Sequence, residues 1–340
     1  MARALAAEDR RYCRAVLPRV SRTFAINIRL LAGPLGEAVR IGYLLCRAAD
    51  ALEDSWPGSP DAIRGRFDRM LAALAGDEAA GAALARDAGA LASPHADLAL
   101  LAELPRVLRV FAALDGESRA AVAEGVRTMG CGMKRFAARD AERGPGIPYL
   151  DTEAELHEYS YVVAGCVGEM LTRLWHAGTS RRDRAQDARR LALAPAVGEG
   201  LQLTNILLDW PVDVRRGRCH VPAAWLEEAG LAVRDLAGAE HPGVRELAAR
   251  MDALATRALS SVPRYLELIP AWDLRYRLFC LWPARWAHAS LEVARRDPEF
   301  PWGPRRPRLP RPRLWAEIAA SLLDPSGARL LYPSFSTTGG

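Results

Sequence analysis

Lysine is almost missing from this chain: of 46 Lys and Arg residues, only Lys134 is a lysine. Chemistry that runs through a lysine amine therefore has one candidate, and a poor one. Cysteine pairs are missing too. Cys13, Cys46, Cys131, Cys166, Cys219 and Cys280 lie far apart, with no CxxC and no histidine cluster at zinc spacing. That spacing excludes a zinc ribbon or a disulfide framework, and six reduced thiols fit a cytoplasmic protein. No run reaches about 18 uncharged apolar residues, which argues against a transmembrane segment. Glu8, Asp9 and Arg10 interrupt the N-terminus where a secretory leader needs an apolar core. Alternating Val/Ile/Thr runs flanked by turn residues are absent as well, so strands are not expected. The net charge of +5 is spread as arginines alternating with acids along helices. With no DNA or RNA motif beside it, that pattern gives no nucleic-acid partner.

What is present is a chain of 340 residues, 50% hydrophobic and 26% charged, sized for one or two domains and able to bury a core without staples. Apolar residues recur at three and four positions through 35–55, 61–90, 117–138, 153–176, 185–215 and 244–268, which predicts an all-helical fold. Breaks fall at Gly33-Pro34, Pro57-Gly58, Ser93-Pro94, Gly144-Pro145-Gly146, Gly217, Pro242-Gly243 and Pro270. No linker stands out before about residue 298, so 1–298 reads as one catalytic domain. Residues 299–340 read as a Pro/Arg-rich strap, a short helix over 314–324 and a polar tail. The strap, 299–315, has prolines at 301, 304, 307, 310 and 312 among five arginines, and this density favours extended backbone. It is expected to return the last helix to the body; a basic flap over an anionic substrate and a peripheral contact to anionic lipid are the alternatives.

Two helices carry the chemistry. In IGYLLCRAADALEDS, Tyr43, Arg47, Asp50 and Asp54 follow at spacings of four, three and four and share one stripe of an otherwise apolar helix. In GEGLQLTNILLDWPVDVRRGR, Gln202, Asn205, Asp209 and Asp213 do the same at three, four and four. Carboxylates one turn apart repel, and burial beside Leu44, Leu45, Leu203 and Ile206 adds a desolvation cost. Mg²⁺ removes both penalties, because it accepts one or two carboxylates and keeps water and phosphate oxygens in its shell. One D-x-x-x-D pair is ordinary on a solvated helix; two on greasy helices point to two or three Mg²⁺ ions and a diphosphate substrate. Metal neutralises such a leaving group. An allylic carbon best tolerates the resulting positive charge, which implies an isoprenyl diphosphate and an apolar, aromatic wall around the cation.

These residues resemble the squalene and phytoene synthase family, closest to its bacterial squalene-synthase-like members. SRTF (Ser21 to Phe24) is similar to the family's SRSF element, and YLLCRAADALED to its first aspartate-rich motif. YSYVVAGCVG (Tyr159 to Gly168) resembles the helix whose first tyrosine is catalytic. QLTNILLDWPVD with GRCHVP (Gly217 to Pro222) resembles the second aspartate motif, and FCLWPARWAHASL (Phe279 to Leu291) a late helix of squalene synthases. The resemblance implies a single-domain isoprenoid synthase bundle with a central cavity and the two aspartate motifs facing each other at its mouth. It implies that Asp50, Asp54, Asp209 and Asp213 bind metal, and that Ser21, Arg22, Tyr43, Arg47, Gln202, Asn205 and Arg218 hold diphosphate or its water shell. Tyr159 would steer proton removal or stabilise the cation, and Phe24 and Phe279 would line the cavity. The small residues Ala164, Gly165 and Gly168 would give a prenyl chain a smooth helix face.

The second motif departs from the family pattern. Leu208 stands where a basic residue is usual and Val212 where a glutamate is; Trp210 and Pro211 lie between the aspartates, and His220 replaces an aromatic or larger group. A proline there removes a helix hydrogen bond and favours a kink. The expected activity is Mg²⁺-dependent head-to-head coupling of two farnesyl diphosphates, with NADPH required only if squalene is the final product. The close alternative is prenylation of an aromatic, non-isoprenoid acceptor, which Leu208, Trp210 and Val212 would suit. A one-substrate terpene cyclase and a non-catalytic scaffold rank lower, the scaffold because all four aspartates are retained.

Overall fold

The computed structural model describes residues 2–91, 95–179 and 183–330. The expected break at Ser93-Pro94 and the tail beyond residue 330 lie outside them. Among the described residues there is no strand, and the fold is all-α. The chain divides into two compact helical units, one running to Arg143 and resuming at Cys166, the other taking Gly144–Gly165 and the chain from Asp183 onward.

The first unit contains α1 (Ala2–Val20), α2 (Arg22–Ile28), α3 (Gly33–Asp54), α4 (Pro60–Leu74), α5 (Glu78–Ala90), α6 (Ala96–Ala102), α7 (Leu104–Ala112) and α8 (Gly116–Arg143). The second opens with α9 (Glu153–Ser160) and a π-helical turn at Tyr161–Gly165; α10 (Cys166–Gly178) then returns to the first unit. The remaining helices of the second unit are α11 (Asp187–Asp213), α12 (Ala223–Ala229), α13 (Pro242–Leu259), α14 (Val262–Glu267), α15 (Leu274–Arg296) and α16 (Arg311–Leu323).

Helix α3 is the axis of the first unit and packs against α1, α6, α7, α8 and α10. Ile41, Leu44, Leu45, Ala48, Ala49, Ala51 and Leu52 are each no more than 1% exposed. At about 2–3 kcal/mol per large aliphatic side chain, that burial fixes the helix's rotation. Tyr43, Arg47 and Asp50 are left half-buried at its margin and Asp54 exposed at its end.

Helix α11 has the corresponding place in the second unit, against α13, α14 and α15. With its flanking turns it spans Arg184–Arg216 and by length and composition alone could cross a membrane, contrary to the expectation that no stretch is apolar enough. Its apolar residues are used within the unit, where Leu203, Ile206, Leu207, Leu208 and Trp210 are all buried. Pro211 neither ends nor breaks the helix, which runs on to Asp213.

Several expected helices are divided. The stretch 61–90 becomes α4 and α5 because Gly76 turns the chain at φ +108° and Asp77 caps α5, its side chain accepting from Ala80 N–H at 2.9 Å. The stretch 244–268 breaks at Ser260 and Ser261, with Pro263 opening α14. The last helix starts at Arg311 instead of 314, since Pro312 falls in its first turn, where a missing N–H costs nothing. Residues 299–310 and α16 belong to the second unit and do not form one of their own. Trp302 of the strap is buried, and Trp282 and Arg285 of α15 bond Ser321 and Glu317 of α16.

Candidate active site

In the first unit, Ser21 caps α2: its hydroxyl accepts from the Phe24 N–H at 3.2 Å and also bonds the Tyr43 side chain. The Phe24 ring lies 5.2 Å from that of Tyr43. Burial pushes the Tyr43 phenol up to about 12, so it stays protonated. Arg22 is exposed at the start of α2. The SRTF element and the polar stripe of α3 are thus adjacent.

Arg47 is committed in a way its motif did not indicate. Its guanidinium forks onto Asp97 in the first turn of α6, at 3.0 Å and 2.6 Å, and reaches Asp50 more weakly at 3.5 Å. A two-point pair of this kind fixes the plane of the guanidinium as well as its position. Asp97 sits in no recognisable pattern, and only tertiary packing brings it here. Burial raises the Asp50 carboxyl to about 7; Arg47 opposes the shift, and the charges of Asp54 and Asp97 add to it. Asp140 of α8 is raised by burial and then by the charge of Asp54, which places a further carboxyl near the pair.

In the second unit, Gln202, Asp209 and Asp213 are part-exposed on α11 and Asn205 is exposed, so the predicted stripe is present. Asp209 is raised by burial, against Arg306 and Arg216, and Arg306 of the strap grips its Oδ1 at 2.7 Å. Past Asp213 the chain reverses at Gly217, φ +82°, where a Cβ would lie 2.6 Å from that of Pro145. Gly217 also accepts from the Gly146 N–H at 2.8 Å. This contact sets Arg218 above the Tyr149 ring, 5.8 Å from its centre, and burial lowers its guanidinium to about 10.

Tyr149, Tyr159 and His220 form a buried aromatic trio with ring centres 5.2–5.6 Å apart. His220 Nδ1 stands 3.7 Å from Asp213. Burial, with Arg218 assisting, holds the imidazole well below its usual range, so it is neutral. Sequence reasoning missed Tyr149, because nothing in IPYLDT marks it.

Three other expectations meet different surroundings. The backbone of Ala164 and Gly165 lies against Gly198 of α11, where a Cβ would come within 2.1 Å of the Ala164 carbonyl oxygen and 3.0 Å of the Gly165 Cα, and Ala164 is part-exposed. The missing side chain that permits this approach is that of Gly198. Gly168, on α10, gives its carbonyl to the Thr172 hydroxyl at 2.9 Å. Phe279 is buried and stacks on Tyr276 at 5.9 Å. Leu208 and Trp210 are buried and Val212 is part-exposed, and the Trp210 indole N–H donates to the Leu236 carbonyl.

Among the described residues no group of three or more His, Cys, Asp and Glu side chains forms a ready metal cage. The donor set still suits magnesium, a hard cation that takes one or two carboxylates and keeps several waters. Each helix offers two aspartates one turn apart, and burial, opposed by Arg47, raises the Asp50 carboxyl.

The squalene/phytoene synthase family model matches residues 17–313. Squalene synthase BSS of Botryococcus braunii is 28% identical over 346 residues, covering 96% of this chain and 65% of that protein. Human squalene synthase is 29% identical over 257 residues, 74% of this chain and 55% of its own length. Phytoene synthase of Thermus thermophilus is 41% identical over 111 residues, 32% of this chain and 35% of that protein. The chain thus spans little more than half to two thirds of the squalene synthases named here. In fold, a ligand complex of TcSQS superposes with a TM-score of 0.79 at 24% identity, covering 95% of this chain and 89% of that one. A dehydrosqualene synthase does so at 0.62 and 20%, covering 94% and 96%. With the two aspartate helices, the Tyr159 helix and the Arg218 turn all inside the matched span, the chain belongs to the squalene/phytoene synthase family, whose members are prenyltransferases.

Proposed function

We propose that this protein ionises an allylic isoprenyl diphosphate with Mg²⁺ and joins the cation to a second prenyl chain, head to head, with farnesyl diphosphate as both substrates. Asp50 and Asp54 on α3 and Asp209 and Asp213 on α11 would hold the metal ions, two or three in number. Bound magnesium would neutralise the leaving diphosphate and ease cleavage of the allylic C–O bond. Arg218, set above the Tyr149 ring by the Gly217 turn, would supply positive charge to the diphosphate. Ser21, Tyr43, Gln202 and Asn205 supply hydrogen bonds to diphosphate oxygens or their water shell.

The aromatic trio offers ring faces to a cation and excludes water. A neutral His220 matters here, because a charged imidazolium beside Tyr159 would repel the cation. Reduction to squalene would take a hydride from NADPH; without it the product stops at a C30 precursor.

The observation that carries this proposal is the pair of aspartates one turn apart on each of two apolar helices, Asp50 and Asp54 on α3 and Asp209 and Asp213 on α11, with Asp50 half-buried. A position that penalises its own charge suits a cation ligand better than a surface ion pair. The test is product analysis with Mg²⁺ and farnesyl diphosphate alone. A C30 hydrocarbon or its cyclopropyl precursor is expected; turnover only after an aromatic acceptor is added would replace head-to-head coupling with acceptor prenylation.

A further inference from the structure

We infer that Arg306 is a substrate-binding residue of the second acidic helix, held on Asp209 until a metal ion takes that carboxylate and then turned to the diphosphate. This rests on the magnesium role proposed above. The strap that carries Arg306 is mounted and not loose. The Trp302 ring is buried beneath the Arg245 guanidinium, 4.5 Å from the ring centre. The Trp302 carbonyl accepts from Arg215 at 2.6 Å and from the Gly238 N–H at 2.9 Å. Arg215 also donates to the Gly303 carbonyl at 2.6 Å.

Pro307 is buried on the other side, so Arg306 lies between two anchors four residues and one residue away. Pro304 and Pro307 further restrict the backbone that presents it. From this mount the guanidinium reaches α11 at 2.7 Å from Asp209 Oδ1, passing over the acids nearer in sequence, Asp297 and Glu299.

An arginine in this position has two consequences. It neutralises Asp209 in the metal-free protein, so metal must compete with it for one carboxylate. Once displaced it remains tethered within a side chain's length of the carboxylate, and a planar guanidinium is suited to gripping phosphate oxygens. The motif's own neighbour at that point, Leu208, is buried and uncharged; Arg216, in the turn after α11, also acts on the Asp209 charge, more weakly than Arg306.

The test is calorimetric binding of Mg²⁺ alone, and of inorganic pyrophosphate at saturating Mg²⁺, to the full chain and its Arg306→Gln, Arg306→Lys, Arg308→Gln and Asp209→Asn variants. Arg308 is the exposed control on the same strap. Arg306→Gln is expected to bind Mg²⁺ about two- to fivefold more tightly, the size of one part-exposed ion pair removed. It is expected to bind pyrophosphate several-fold more weakly, with Arg306→Lys between it and the wild type and Arg308→Gln unchanged. Arg306→Gln equal to wild type in both affinities overturns the inference, and so does tighter metal binding with pyrophosphate affinity unchanged. If Asp209→Asn weakens Mg²⁺ binding while Arg306→Gln does nothing, this inference alone fails. A wild-type chain that binds no Mg²⁺ removes the magnesium role and this inference together.

Discussion

Asp50→Asn is expected to lower the turnover of an allylic diphosphate by about a thousandfold, as is Asp209→Asn, because each removes an anionic metal ligand worth several kcal/mol in the transition state. Asparagine keeps the shape and loses the charge, so the fold should persist. For Asp50 a second readout separates lost chemistry from lost structure. Its carboxyl is raised to about 7 in the folded protein, mainly by burial, while in an unfolded chain it titrates near 4. Between those values the folded state holds a proton that the unfolded state has released, so stability falls as pH rises, and the penalty is complete above about pH 7. Asp50→Asn in metal-free protein should therefore be more stable than wild type at pH 8, with the gain vanishing toward pH 4. Activity and stability moving in opposite directions is the expected mark of a carboxylate kept for its ligand. Thermal unfolding at the two pH values, beside a rate measurement, checks it.

Gly198→Ala is expected to be the most damaging added methyl among the described glycines, costing about 3 kcal/mol or more. The added Cβ would fall 2.1 Å from the Ala164 carbonyl oxygen, and that obstacle is backbone, which cannot rotate aside. Relief requires α11 to withdraw from the π-helical turn Tyr161–Gly165. Both carry proposed site residues, Asp209 and Asp213 on α11 and Tyr159 just before the turn, so the variant should lose activity along with stability. Gly65→Ala is the control: nothing lies within 4 Å of its Cβ, and alanine is the better helix former. Denaturant unfolding of the two variants should separate them by more than the whole effect of a typical surface substitution.

The features legible in sequence were those written in helical period. Asp50 and Asp54, and Asp209 and Asp213, stand on single helices at the margin of buried faces because 3.6 residues per turn fixes where a four-residue spacing points. Pro211 lies inside α11, which runs on to Asp213 despite the missing N–H. The groups that tune the site come from elsewhere in the chain. Asp97 reaches Arg47 from α6, Asp140 affects Asp54 from α8, Tyr149 joins Tyr159 through the Gly217 turn, and Arg306 meets Asp209 from the strap. None of these partners has a local pattern, because each is placed by packing and not by its neighbours in sequence. The close approach of α11 shows the same limit: Gly198 meets the Ala164 and Gly165 backbone, a contact that no local pattern announces.

The central claim is that the paired aspartates act through magnesium on an allylic diphosphate, and pyrophosphate release from farnesyl diphosphate by the wild-type chain tests it most directly. Release is expected with Mg²⁺, should stop when EDTA removes the metal, and should return when Mg²⁺ is restored. Release at the same rate in EDTA would contradict the claim, as would no release from any allylic diphosphate of ten, fifteen or twenty carbons with Mg²⁺ present.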